Sequence, residues 1–240
     1  MLHIIDNPLP YYDTRRHSIS LIVLHSVSFR TLKESLDSFE TYKVSSHYLI
    51  DRDGTVYRLV PEDKKAYHAG ISNWRRVTSG AKPSLNDCSI GIEFQRLPLP
   101  HAQLTQKQIN AGIELCSQLM RKYKLKTNQI VGHADIAPNR KDDPVNFPWR
   151  TFGKARIGVW TDKMSPSPHS ILLKKTVSEL LESIGYPVQF GIDPALIAFK
   201  RHYMPNARPD AHITQKVMNR LASVVEAHQK IAKRSTKKRK

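Results

Sequence analysis

The stretch SHYLIDRDGTVYRLV, residues 46–60, decides the fold class of this sequence. Two runs of alternating apolar and polar residues flank Asp53-Gly54, a dipeptide typical of the tight turn between antiparallel strands. The stretch therefore predicts a β-hairpin. An antiparallel hairpin does not fit a doubly wound sheet that is built of parallel strands alone, so we expect a sheet of mixed direction.

Three short apolar runs elsewhere predict buried strands. They are ISLIVLH (19–25), which ends at His25, CSIGIEFQ (88–95), and QIVGH (129–133), which delivers His133 to the next loop. Strands of this kind, alternating with helical patterns and accompanied by a hairpin, predict an α/β (α+β) protein. The expected architecture is a mixed central β-sheet flanked by helices.

Helical spacing of apolar residues predicts the flanking helices. Leu32, Leu36 and Phe39 define one of them. A second opens at Thr105, which forms a capping-box pattern with Gln108. Its predicted apolar stripe consists of Ile109, Ile113, Cys116, Met120 and Tyr123.

A change in composition predicts the division into domains. TDKMSPSPHS is rich in serine and proline and is typical of a linker. The predicted parts are a main domain (1–160), this linker (161–170), a small C-terminal three-helix domain (171–230) and a basic tail (231–240).

The three C-terminal helices are predicted from apolar spacing and end signals. The first contains Leu173 and Val177 and ends at Gly185. The second opens with Asp193 as N-cap and Pro194 at the first helical position. The apolar residues of the third are Ile213, Val217, Leu221, Val224 and Val225.

The bulk composition is that of a soluble globular protein, with 40% hydrophobic and 25% charged residues among 240. No apolar run approaches the length of a membrane span. MLHIIDNPLPYYD lacks the charged and apolar regions of a secretory signal peptide, which favours a cytoplasmic location, with the periplasm or cell envelope as the alternative. Cys88 and Cys116 lie in apolar patterns and are expected to be buried thiols.

The formal net charge is +17, which favours anionic partners. The last eight residues, KRSTKKRK, contain six of the basic groups. This tail has two interpretations. It is either a disordered, solvated end or an electrostatic tether to an anionic polymer or nucleic acid.

Two histidines and an aspartate form a candidate metal site. His25 and His133 each end a predicted strand, and Asp143 follows His133 by ten residues through a loop bounded by Pro138 and Pro144. Two imidazoles and a carboxylate are the ligands of many catalytic zinc sites, which keep one position open for water. Ligand type alone does not exclude other divalent metals, and isolated histidines at strand ends are also common structural residues.

Two further residues have the chemistry of an acid–base pair. Glu93 lies within an apolar strand, where a carboxylate is costly without a partner or a task, and it could take a proton from metal-bound water. Lys141 could stabilise the oxyanion that develops on an attacked carbonyl. The alternatives are a half-exposed Glu93 at a sheet edge and an ordinary surface lysine.

Five motifs occur in one order between residues 20 and 144: IVLHS, SSHYLIDRDG, YHAGISNWR, LNDCSIGIEF and GHADIAPNRKDDP. Together they resemble the zinc-dependent N-acetylmuramoyl-L-alanine amidases of the amidase-2 family, of the AmiD and AmpD type. The resemblance covers about the first 160 residues. It implies the mixed-sheet fold of this family, one zinc ion per chain, and peptidoglycan or a muropeptide as the substrate.

The resemblance also implies a role for each motif residue. His25, His133 and Asp143 would be the zinc ligands, Glu93 the general base, and Lys141 the group that stabilises the tetrahedral intermediate. The residues implied in substrate binding are His47, His68, Asn73, Trp74 and Asn86. For Trp74 the alternative is a core aromatic, and for His47 it is a structural hydrogen bond. Asp135 and Arg140 would fix the loop.

The C-terminal part resembles the three-helix peptidoglycan-binding module of AmiD-type enzymes. This resemblance depends on helical spacing and on the segments GY (185–186) and FKRHY (199–203). A plain helical bundle would show much of the same pattern. Wall binding would suit the basic charge, because stem peptides carry carboxylates.

Three functions follow as expectations. The first is hydrolysis of the amide between N-acetylmuramic acid, or its anhydro form, and the L-alanine of the stem peptide. The second is a non-catalytic peptidoglycan-binding protein of the same fold, which the complete set of ligand positions argues against. The third, nucleic-acid binding, is the least favoured and would show steep salt dependence. No specific protein partner is expected.

Overall fold

The computed structural model describes residues 2–75, 84–166 and 174–237. Its strands are β1 (Ile4–Asp6), β2 (Tyr12–Thr14), β3 (Leu21–Ser28), β4 (Tyr48–Ile50), β5 (Val56–Arg58), β6 (Lys64–Ala66), β7 (Ser89–Arg96) and β8 (Ile130–Gly132). Its α-helices are α1 (Leu32–Tyr42), α2 (Leu85–Cys88), α3 (Gln106–Tyr123), α4 (His133–Ile136), α5 (Trp149–Lys154), α6 (Lys174–Ile184), α7 (Ile192–Tyr203) and α8 (Gln215–Lys237). Two 3-10 turns span Thr127–Gln129 and Val188–Phe190.

The main sheet has the strand order β1-β5-β4-β7-β3-β8. Its neighbouring strands are parallel except for β4 and β5, which form the antiparallel hairpin around Asp53-Gly54. The short strands β2 and β6 pair as a separate antiparallel ribbon. The predicted mixed sheet and its hairpin are therefore confirmed.

The central strands β3 and β7 are covered on both faces, as their nearly continuous apolar sequences predict. The prediction that the first strand ends at His25 is wrong, because β3 continues to Ser28 in register with Arg96 of β7. Pairing on the other side of β3 stops where Leu24 meets Gly132. His25 and His133 thus follow directly after the last residues through which β3 and β8 pair with each other.

Helix α3 begins with the predicted capping box. The Gln108 backbone N–H donates to the Thr105 hydroxyl, and the Thr105 backbone N–H donates to the Gln108 side-chain oxygen. Its buried face is rotated from the predicted stripe. The residues that face the core are Gln108, Ala111, Gly112, Leu115, Cys116 and Leu119. The reason is close packing at Gly112: a Cβ there would lie 2.7 Å from the ring of Phe94, so this turn of the helix faces the sheet with a glycine. Cys88 and Cys116 are buried free thiols, as expected.

The three C-terminal helices pack against the sheet and share one apolar core with it. Leu21 and Val131 of the strands belong to the same buried cluster as Val177, Phe199 and Leu221 of α6, α7 and α8. The three helices are present. The boundary near residue 160 that was inferred from composition runs through a continuous apolar core.

The helix ends differ in detail from the prediction. Gly191, with φ +116°, is the N-cap of α7, so Asp193 lies in the first turn and is not the cap. Ile213 precedes α8. Leu173 lies outside the described residues.

The predicted linker and tail are more ordered than their composition suggested. Residues 161–166 run along α8, where the Ser165 backbone N–H donates to the Ser223 hydroxyl at 2.6 Å and Arg220 donates to the Thr161 carbonyl at 2.6 Å. Residues 167–170 lie outside the described range. Helix α8 extends to Lys237 because no glycine or proline interrupts its sequence, so a disordered end is wrong for 233–237, the part of KRSTKKRK that the structure describes.

None of the helices in the described ranges is long and apolar enough to cross a membrane.

Candidate active site

Two adjacent strands and one loop bring the predicted site residues together. His25 of β3 and Glu93 of β7 are register partners on neighbouring parallel strands. His133 is the first residue of α4, directly after β8. The loop that follows α4 contains Lys141 and Asp143, and the Ala134 backbone N–H donates to the Asp143 carbonyl at 2.8 Å.

His25, His133 and Asp143 converge on one point. The two Nδ1 atoms are 3.0 Å apart, and the Asp143 carboxylate lies 3.3 Å from His25 Nδ1 and 3.2 Å from His133 Nδ1. One ligand atom from each residue fits within 4.8 Å of the other two. Both imidazoles are buried, and the Asp143 side chain keeps 17% of its surface exposed. The cluster is thus reachable from solvent on the Asp143 side.

Hydrogen bonds behind the cluster assign the tautomers of both histidines. His133 Nε2 lies 3.3 Å from the Ala69 carbonyl, which can only accept, so Nε2 carries the proton. The Ser89 hydroxyl donates to the Leu85 carbonyl and accepts from His68 Nε2 at 3.2 Å. His68 Nδ1 then accepts from His25 Nε2 at 3.0 Å. Both Nδ1 atoms are therefore lone-pair acceptors.

A cation between three acceptors that face each other would satisfy all of them. Burial, together with the nearby His133, lowers the pKa of His25 to about 4, so its imidazole is neutral at pH 7. Burial acts to raise the pKa of Asp143, but His133 and His25 outweigh it and hold that pKa well below its usual range. Neutral imidazoles and a carboxylate are the donor set that divalent transition metals bind, so these residues fit such an ion.

Glu93 is the second chemical group of the site. Its Oε2 atom is buried and has no hydrogen-bond partner in the described part of the chain. Burial and the charge of Asp143 raise the pKa of Glu93 well above its usual value, and Lys141 opposes this shift. A carboxylate with a raised pKa is a stronger base, which suits proton abstraction from water. The sheet-edge position in the alternative is wrong, because β7 lies between β4 and β3, but Glu93 as a whole residue is only half-buried.

The loop of residues 133–143 is held from several sides. Asp135 Oδ2 accepts from the Gly132 backbone N–H at 2.8 Å. Arg140 donates to the carbonyls of Ile71 and Ala69. These contacts confirm the predicted loop-fixing roles of Asp135 and Arg140.

Two further partners of this loop were not assigned from the sequence. Tyr186 and His202 both bind the Asp135 carboxylate from the C-terminal helices. Both residues lie in segments that the sequence analysis singled out, GY and FKRHY, but helical spacing alone does not show what these side chains contact.

Trp74 does not line a groove. Its side chain is 2% exposed and meets the ring of Tyr186 edge-on, with the ring centroids 5.4 Å apart. A Cβ at Gly185 would lie 2.7 Å from the indole, so only glycine allows this approach. The core alternative is therefore correct for Trp74, and a role in stacking on sugar rings is wrong for this residue.

His47 and His68 are also internal. His47 Nδ1 accepts from the Gly91 backbone N–H at 3.0 Å, and burial together with Arg15 lowers the pKa of His47 to about 3. The structural hydrogen bond predicted as the alternative for His47 is thus confirmed. His68 supports His25 from behind, and its contact with substrate stays a prediction.

Asn73 and Asn86 are partly exposed beside the loop that contains His68. The Asn86 side-chain oxygen accepts from the backbone N–H groups of His68 and Ala69 at 3.1 and 2.6 Å. The Asn73 backbone N–H donates to the Ile136 carbonyl at 2.9 Å. Both residues shape the loop, and their contact with substrate stays a prediction.

A mixed sheet that brings two histidines, an aspartate and a half-buried glutamate to one point is characteristic of metal-assisted hydrolases. The model of the Amidase_2 family, N-acetylmuramoyl-L-alanine amidase, matches residues 15–146. The chain belongs to this family.

Individual relatives agree with this assignment. The chain is 34% identical over 245 residues to N-acetylmuramoyl-L-alanine amidase AmiD of Escherichia coli K12, covering 87% of this chain and 86% of that protein. It is 32% identical over 168 residues to 1,6-anhydro-N-acetylmuramyl-L-alanine amidase AmpD of Citrobacter freundii, covering 60% and 86%.

Solved structures show the same fold. The complex of E. coli AmiD with anhydro-N-acetylmuramic acid-L-Ala-D-gamma-Glu-L-Lys superposes with a TM-score of 0.75 at 31% identity, covering 87% of this chain and 89% of that one. AmpDh3 from Pseudomonas aeruginosa gives a TM-score of 0.75 at 25% identity, covering 92% and 97%. The match to AmiD extends beyond the sheet into the C-terminal helices, because it covers more of the chain than the main domain contains.

Proposed function

We propose that this protein is a zinc-dependent amidase that hydrolyses the bond between N-acetylmuramic acid, or its anhydro form, and the L-alanine of the stem peptide. The observation that carries the proposal is the convergence of three acceptors, from His25, His133 and Asp143, beside Glu93, whose Oε2 atom is buried. The names of AmiD and AmpD, which cover both forms of the sugar, support the substrate class.

His25 Nδ1, His133 Nδ1 and the Asp143 carboxylate would hold one zinc ion. Bound zinc supplies Lewis acidity and makes water a stronger acid. Glu93 takes the proton of the attacking water on its carboxylate and then gives it to the departing amine of L-alanine. This second transfer is favourable because burial makes the protonated form of Glu93 accessible.

Lys141 has the complementary role. Its ammonium group is within electrostatic reach of Glu93 and His25. A positive charge at this place stabilises the negative charge that develops on the carbonyl oxygen when water attacks. Its backbone N–H donates to the Ala137 carbonyl at 3.0 Å, which ties Lys141 to the turn that also presents His133.

The test is a digest of purified muropeptides analysed by mass spectrometry, with and without a chelator. We expect free stem peptide that begins with L-alanine, together with the free sugar. The chelator should abolish both products, and zinc should restore them. Zinc-loaded protein that binds the muropeptide and leaves it intact would instead support the non-catalytic binding protein.

A further inference from the structure

Tyr186 and His202 of the C-terminal helical region converge on one carboxylate of the active-site loop. The Tyr186 hydroxyl donates to Asp135 Oδ1 at 2.7 Å, and His202 Nδ1 lies 2.7 Å from Asp135 Oδ2. The three residues are buried, with at most 3% of each exposed. Hydrogen bonds to a carboxylate in such an environment are short and strong.

Asp135 connects this contact to the proposed metal ligands. Its Oδ2 atom also accepts from the Gly132 backbone N–H, the residue before His133, and so caps the turn that His133 begins. Ala134, between His133 and Asp135, donates its backbone N–H to the Asp143 carbonyl. A shift of Asp135 would therefore displace both His133 and Asp143.

Aromatic stacking fixes the direction in which His202 donates. Its ring lies between Trp149, at a centroid distance of 3.7 Å and 15°, and Tyr203, at 4.0 Å and 12°. Trp149 also packs against the backbone of Gly132, where an added Cβ would lie 3.0 Å from the indole. The stack leaves the imidazole little freedom to rotate away from Asp135.

We propose that His202 and Tyr186 are positioning residues for the metal site, and that the C-terminal helices complete the active site by holding Asp135. This inference rests on the proposed zinc function. It assigns to the helical region a role that is separate from any binding of the cell wall. Each residue acts on the proposed ligands through its hydrogen bond to Asp135.

The physical reason is the sensitivity of metal affinity to ligand geometry. Loss of an outer partner of a metal site lowers affinity by about 10- to 100-fold. Tyr186→Phe removes one donor and leaves Asp135 Oδ1 with an unsatisfied position in the core. His202→Leu removes the second donor, whereas His202→Asn retains an N–H close to the place of Nδ1.

The test measures the zinc dissociation constant of the full chain by chelator competition. We expect about tenfold weaker zinc binding for Tyr186→Phe and about 10- to 100-fold weaker binding for His202→Leu, with partial recovery in His202→Asn. Tyr123→Phe is the matched control, because it deletes the same group and the Tyr123 hydroxyl donates to Glu62, not to Asp135. It should bind zinc as the wild type does.

Steady-state kinetics give a second readout. A displaced site should lower kcat and leave KM nearly unchanged, because the substrate contacts stay in place. Wild-type zinc affinity in both Tyr186→Phe and His202→Leu would overturn this inference and leave the proposed function standing. A wild-type chain that binds no zinc would overturn the proposed function together with it.

Discussion

His25 and Glu93 are register partners on adjacent parallel strands, so the sheet itself places a proposed metal ligand next to the proposed general base. Their separation depends on the pairing of β3 and β7, which extends through eight residues of each strand. Rigid strands hold catalytic groups more accurately than loops do. This arrangement allows the two roles to be separated by substitution.

Glu93→Gln should retain zinc and lose turnover by about 10²- to 10⁴-fold, because a base is removed and no ligand is changed. Metal content by atomic spectroscopy and the rate of muropeptide cleavage test this expectation. Glu114→Gln, on the exposed side of α3, is the matched control. Loss of zinc in Glu93→Gln would show that Glu93 is a ligand.

His68→Phe should weaken zinc binding by about 10- to 100-fold, because His25 loses the acceptor of its Nε2 proton and with it the fixed tautomer. The substitution keeps an aromatic ring in the space above Gly91. Chelator competition measures the effect, with His101→Phe at an exposed loop position as the control. Equal zinc affinities of the two variants would show that His68 does not support His25 as a ligand.

Trp74→Phe should lower the free energy of unfolding by about 1–3 kcal/mol, less than a full truncation to alanine. The KM for muropeptide should stay at the wild-type value, since the indole is buried against Tyr186. Denaturant unfolding and steady-state kinetics separate the two effects. A raised KM with unchanged stability would instead show that Trp74 contacts the substrate.

Glu62→Gln should change the acid stability of the fold. Burial acts to raise the pKa of Glu62, but hydrogen bonds from Tyr123, Tyr48 and Lys122 outweigh it and lower the pKa below its reference value of 4.5. The wild-type carboxylate therefore stabilises the fold above about pH 4.5, and this contribution is lost as the pH falls through the lowered pKa.

Urea unfolding at pH 7 and at successively lower pH measures this contribution. The wild type should lose more stability than Glu62→Gln on acidification, while Glu40→Gln at an exposed position of α1 should follow the wild type. Parallel curves for the wild type and Glu62→Gln would contradict the expectation.

Sequence patterns correctly predicted those elements that depend on interactions between residues close together in the chain. The hairpin at Asp53-Gly54, the capping box at Thr105 and the buried central strands follow from turn chemistry and periodicity. The proposed ligand set of His25, His133 and Asp143 was accessible through the motifs that surround these residues. The structure brings the three together as that resemblance implied.

Contacts between distant segments were beyond the reach of the sequence. Trp74 occurs in a motif beside the active site, and nothing local shows that Gly185, more than a hundred residues later, covers its indole. The same holds for Asp135 and His202, which are 67 residues apart. Periodicity predicts that a helix has an apolar face, but it does not show which surface that face will cover.

The shared core of sheet and helices has a consequence for engineering. Leu21, Val23 and Val131 are fully or almost fully buried in a cluster with Leu181 and Leu221. A chain cut near residue 160 would uncover a contiguous apolar surface and invite aggregation. Fusion partners, tags and grafted modules therefore belong at the chain ends, and a transplant of the catalytic machinery must include α6, α7 and α8.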